Sequence, residues 1–180
     1  MKKKLTILTT LIVTVMLLVA CGSKPDDSNN EGSTEQKLTG SLEEIMTNVE
    51  TELEAEIMTI HDSVDLKDKD SVKYNLGLND AQGIEEALAS NAMISTHAYS
   101  TVLVRVEQGA DVQKIAKEMV AGVDLMKWIC VGADDAQAAI YGDLIYLVML
   151  DSSLEDKSIQ DHFDAFETVA SSHVDTIVKR

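Results

Sequence analysis

Four histidines, one pair of adjacent carboxylates and two cysteines are the residues in this 180-residue chain best equipped to bind or catalyse. The histidines are His61, His97, His162 and His173. His162 and His173 are eleven residues apart in what reads as one last helix, about three turns. They would point in similar directions but lie roughly 16 Å apart along the axis, too far to share a metal. Asp134 and Asp135, in the "GADD" of Gly132 to Asp135, are the most suggestive acidic pair and a candidate weak cation site. Two neighbouring carboxylates in a loop with backbone carbonyls can hold Ca²⁺ weakly. The competing reading, which we favour, is that one of them caps a turn before "AQAA". Ser95, Thr96 and His97 are close in sequence, but chain neighbours do not make a nucleophile and base. The chain has no H-E-x-x-H, no paired-cysteine motif, no EF-hand loop, no G-x-S-x-G and no Gly-rich phosphate loop. We therefore assign no catalytic residue, no confident metal ligand and no cofactor, and expect a protein that is not an enzyme.

The cysteines differ in setting. Cys130 lies in "WICVG", among apolar residues, and reads as a buried, inert thiol. Cys21 ends a different pattern: Lys2, Lys3 and Lys4, then the apolar run Leu5 to Ala20, then the cysteine. Those 16 apolar-run residues would span about 24 Å as a helix, short of the roughly 30 Å hydrocarbon core. Leu18, Val19, Ala20 and Cys21 match the bacterial lipobox, the signal at which a peptidase cuts before a lipid-bearing cysteine. Residues 1–20 are accordingly expected to be a lipoprotein signal peptide, and Cys21 the lipidation site that holds the protein to membrane lipid on the extracytoplasmic face. An ordinary signal peptide with an incidental cysteine, or a retained membrane helix, are the alternatives.

From Gly22 to about Gly40 the chain is Gly-, Ser- and Asn-rich, with Leu38 its one large apolar residue. Such composition cannot offset its ordering entropy, so residues 21–40 read as the lipidated cysteine and a flexible tether. Lys24 and Lys37 are too few for an electrostatic membrane patch. The whole chain carries 15 basic and 31 acidic residues, a formal −16, and cleavage after Ala20 would take it to about −19. That excess argues against nucleic acid or anionic lipid surface as a partner. Residues 41–180 suffice for one core, hence a single domain.

Within that domain, Ser41 and Glu44 form a capping box before Leu42, Ile45, Met46, Val49, Leu53, Ile57 and Ile60, predicting a helix of some 18 residues. "HDSVDLKDKDSV" reads as loop or helical turn. Ile84, Ala87 and Leu88 suggest a short helix after Asn79-Asp80. Ser100 to Glu107 alternates as a strand, with Val102, Val104 and Val106 on one face and Thr101, Leu103 and Arg105 on the other. Val112, Ile115, Ala116, Met119, Val120 and Val123 form the clearest helical stripe, weakened at Gly122. Two strands then meet at Gly142-Asp143, a type II′ pattern, and the second, Leu144 to Leu150, is apolar on both faces and so central. A last helix is read through Ile159, Phe163, Phe166, Ala170, Val174 and Ile177. The fold class is α+β, a small, mostly antiparallel sheet packed against helices.

The strand ending in "VRVEQGADV", the helix after it and the "YGDLIYLVML" hairpin, within about residues 75–165, give a resemblance. The chain resembles an uncharacterised family of lipoproteins and secreted proteins, common in Firmicutes, whose shared domain has no assigned function. The resemblance implies a fold and an address but no mechanism. The functional expectation is thus a membrane-anchored binding or interaction module with an envelope protein or glycan partner. Tyr99, Trp128, Tyr141 and Tyr146 would serve as anchors if exposed. The alternative is a solute receptor or divalent-cation-binding lipoprotein.

Overall fold

The computed structural model describes residues 37–94 and 96–180. The lipobox residues Leu18, Val19, Ala20 and Cys21, and the tether up to residue 36, lie outside them, as does Ser95.

Helix α1 (Leu42–Leu53) begins where the sequence places it, with Ser41 Oγ accepting from the Glu44 N–H and the Glu44 carboxylate accepting from the Ser41 N–H. It ends earlier than the apolar period. Glu54 adopts a left-handed conformation (φ 50°) and closes the last turn on Glu50 O. The chain then turns into strand β1 (Thr59–Ser63), so Ile57 and Ile60 are not part of the helix. Asp68 caps α2 (Lys69–Leu76), which Gly77 terminates at φ 73°.

The stretch expected to hold a short helix is instead strand β2 (Ile84–Ala92), hydrogen-bonded to β1 and to β3 (Ser100–Val106). Next come α3 (Val112–Gly122), capped by Asp111, and the hairpin of β4 (Asp135–Tyr141) and β5 (Leu144–Leu150). Gly142 has φ 56° and Asp143 a negative φ, the pattern of a II′ turn. Helix α4 (Ile159–Ala170) has its own capping box, Ser158 with Asp161. It stops at Ser171, φ 53°, and Val174 and Ile177 belong to the link and to strand β6 (Thr176–Lys179). His173 is therefore off the helix, and the three-turn relation to His162 does not hold.

The six strands form one antiparallel sheet in the order β1-β2-β3-β5-β4-β6. β5 is interior, as its two apolar faces require. Ile145, Leu147 and Met149 pack with Val102, Val104 and Val106 under α2 and α3. Leu144, Tyr146, Val148 and Leu150 pack with Leu103 under α1 and α4. The result is three layers, two helices on each face of the sheet. Gly122 lets two backbones meet: a Cβ there would overlap the carbonyl oxygen of Gly77, so α2 closes against α3 through a pair of glycines. Among the described residues both cores draw on Leu38 and later positions, and Thr34–Arg180 is one compact unit.

Candidate functional site

The strands define two poles. One carries the β4–β5 turn and the end of β3; there residues 37–40 join the domain. Arg105, 6% exposed, fixes that junction. Its Nη1 and Nη2 donate to the carbonyls of Leu38 and Gly40 at 3.3 and 2.9 Å, and its Nε to Glu86 Oε1 at 2.9 Å. Lys37 lies 3.3 Å from Asp143 in the turn, and Leu38 packs on the α1–α4 core. Charge and apolar contact together therefore hold the incoming chain at this pole.

The opposite pole is built from the described residues of four connections, 54–58, 93–94 with 96–99, 123–134 and 151–158. Hydrogen bonds stitch them laterally. Met93 N–H donates to Met58 O at 2.9 Å, Asp151 N–H to Ala98 O at 3.1 Å, and Asp134 N–H to Leu150 O at 3.1 Å. His97 Nδ1 lies 3.0 Å from Glu155 Oε1. On this surface stand Met58, Met93, Ile94, Met126, Ile129 and Leu154, six of the eight exposed large hydrophobic side chains among the described residues. Scattered exposed apolar residues mean little, but this concentration at one pole sets the surface apart.

Beneath its centre lies Lys127. Its Nζ donates to Ser100 Oγ at 3.1 Å and sits 4.7 Å from the ring centroid of Tyr74 and 5.1 Å from that of Trp128. Burial pulls its pKa down to about 8 against the attraction of Asp124. The Oδ1 of Asn91, cross-strand from Ser100, is buried and meets no donor. A lysine beside a serine has the elements of a nucleophile and base, but Ser100 is fully buried in the sheet, out of a substrate's reach. The arrangement clamps the 123–134 loop to β3.

The two carboxylates singled out in the sequence are both committed locally. Asp134 accepts from the Ser152 N–H at 3.1 Å and from the Ser152 hydroxyl, which hold its pKa below the usual carboxylate value. Asp135 accepts from Ala136 N–H at 2.7 Å and Gln137 Nε2 at 2.6 Å. Among the described residues no group of three His, Cys, Asp or Glu side chains has a metal-binding arrangement. The histidines go four ways. His61 lies between α1 and β1, with Nδ1 2.8 Å from Glu43 Oε1 and Nε2 2.8 Å from Glu50 Oε2. Two acceptor carboxylates demand a doubly protonated ring. Burial opposes that charge, but the hydrogen bonds and charges of Glu43 and Glu50 outweigh it and raise the pKa. Glu50 also accepts from Thr59 and Ser90 hydroxyls, so its carboxylate ties α1 to the sheet. His162 is fully buried, 3.1 Å from Tyr146 Oη, with Nε2 unpaired. Burial takes its pKa down to about 4 against the charges of Asp161 and Asp156. His97 pairs with Glu155, and exposed His173 with Glu167.

One sequence expectation is corrected, and one left open is answered. Cys130 is exposed, at φ 67°, in the loop at the apolar pole, where Trp128 and Val131 pack against the core while Ile129 and Cys130 face outward. Tyr99, Tyr141 and Tyr146 are buried in the α1–α4 core, where Tyr146 stacks near Phe163 and Phe166, and offer no anchor to a partner. Trp128 packs partly against the other core. The large groove beside α3, about 810 Å³, is lined chiefly by polar residues such as Lys73, Glu107 and Asp111 and by backbone at Gly83 and Gly109. It lacks the predominantly apolar walls of a small-molecule site. Among the described residues no helix is long and apolar enough to cross a membrane. No protein-family model, no curated protein and no solved structure matches the chain.

Proposed function

We propose that this chain is a lipid-anchored extracytoplasmic protein, tethered to the cell membrane through Cys21, whose folded domain is a non-enzymatic binding module of the cell envelope. The resemblance to the Firmicutes lipoprotein family belongs to this proposal; it supplies an address and no mechanism. The observation that carries the binding role is the polarity of the domain. The chain arrives at the pole fixed by Arg105, and the stitched surface of exposed apolar side chains stands at the other. β5 alone, seven residues, separates the poles by about 23 Å.

The divalent-cation alternative has less support, since the oxygens of Asp134 and Asp135 already accept hydrogen bonds from the protein. The test of the anchor is Cys21→Ala. The variant should leave the membrane fraction for the aqueous wash and lose its lipid. A C21A protein that still sediments with membranes in detergent-free buffer would contradict the proposal.

A further inference from the structure

Four candidates stand out: the Lys127–Ser100 pair, the unpaired Nε2 of His162, the polar groove beside α3, and the apolar pole. Ser100 is sealed in the sheet, and His162 is fully buried, out of a ligand's reach. The groove holds lysines and carboxylates but no orphaned buried group aimed into it. The apolar pole carries an argument further, because both its shape and its charge constrain what covers it.

Its apolar side chains are chemically alike: three methionines, two isoleucines and a leucine, with Ile129 81% and Met126 66% exposed. Methionine is flexible and polarisable, and surfaces rich in it accommodate apolar side chains of varied shape. Around them the exposed charges are acidic: Glu54 and Glu56 on the first connection, Asp124 and Asp134 on the third, Asp156 on the fourth. The nearby cations are few. Lys127 is turned inward on Ser100, leaving Lys157 beside Asp156.

Three kinds of surface could cover such a patch, and charge separates them. A second copy would set acidic rim against acidic rim on a chain of formal charge −16. An anionic bilayer would meet the same repulsion. A polypeptide segment with apolar side chains flanked by lysine or arginine satisfies both features at once. We infer that the pole formed by residues 54–58, 93–94, 96–99, 123–134 and 151–158 is a docking surface for a basic, amphipathic segment of a partner protein. This rests on the binding-module reading above and names its partner class.

Trp128, the single tryptophan of the chain, lies in the third connection and reports on the surface without a label. The experiment uses residues 34–180, which contain both cores, so the result does not depend on lipidation at Cys21. An 18-residue peptide of leucine and lysine at helical spacing is titrated against it, followed by Trp128 emission and by calorimetry. Its leucine–glutamate counterpart and phosphatidylglycerol vesicles are run in parallel. Saturable binding of the lysine peptide alone is expected, weakening as NaCl rises. Met93→Ser, Met126→Ser and Ile129→Ser combined should weaken it at least tenfold with the melting temperature unchanged. Glu54→Gln, Glu56→Gln and Asp124→Asn combined should flatten its salt dependence. Equal binding of the glutamate peptide would overturn the inference, as would preferential binding to vesicles, a triple-serine variant that binds like the parent, or no saturable binding at all. None of these outcomes touches the C21A fractionation, so the docking surface and the anchor stand or fall separately.

Discussion

Lys127 Nζ lies 3.1 Å from Ser100 Oγ, joining a loop residue to the first residue of β3 across 27 positions of sequence. The ammonium is largely enclosed by protein, and Tyr74 and Trp128 rings face it within 4.7 and 5.1 Å. Aromatic faces favour the cation while burial disfavours it, and burial wins, giving a pKa of about 8. In the unfolded chain the same amine titrates near 10.4. Between those values the unfolded state binds the extra proton, so stability should rise as pH increases from about 8 towards 10.4. Following the lysine ¹³Cε signals by NMR should show one lysine titrating near 8; a set that all titrate near 10.4 would refute the clamp.

The two buried-side histidines should act in opposite directions. His162, held neutral with a pKa of about 4, makes the domain lose stability as pH falls from about 6.5 to 4, by roughly 3 kcal/mol over that window. His61 is raised instead, so its contribution is complete below about 6.5 and is lost as pH rises through its folded value. Chemical denaturation across pH should show His61→Gln flattening the upper limb, and His162→Leu flattening the lower. A His61→Gln variant that still loses stability on the upper limb like the parent would remove the imidazolium from between Glu43 and Glu50.

Val148→Asp should cost several kcal/mol, because the residue is fully buried between β3 and β4 on the α1–α4 face. Thermal melting would show it. A variant melting like the parent would take Leu144–Leu150 out of the interior of the sheet.

Calcium should stabilise the domain no more than sodium at matched ionic strength. A specific site would add RT ln(1 + [L]/Kd), about 1.4 kcal/mol at ten times Kd, whereas screening of the acidic surface is common to both salts. A calcium-specific rise in melting temperature that vanishes in D134A/D135A would restore the cation-binding alternative.

What could be read from sequence followed the clarity of each local period. β3, α3 and β5 were legible because one burial pattern runs through each without interruption. β2 was not. Its register shifts between Ile84 and Glu86, and the extra residue converts strand alternation into the spacing of Ile84, Ala87 and Leu88 that suits a helix. β1 and β6 are short edge strands of five and four residues, each paired on one side only, and their apolar residues happened to continue the periods of α1 and α4. The true stops, Glu54 and Ser171, are left-handed residues that carry no glycine signature. The docking surface was hidden for a different reason. Exposure of Met93 or Ile129 depends on four separated connections meeting at one pole, which no local window records.

The membrane anchor depends on Cys21, and the N-terminal peptide of the mature chain reads it directly. The protein should be purified from the membrane fraction of cells expressing the full chain and digested, and the N-terminal peptide weighed by mass spectrometry. The prediction is a chain that begins at Cys21 and carries a diacylglyceryl group on its sulfur. A chain beginning at Met1, or an unmodified Cys21 in a membrane-bound protein, would contradict it.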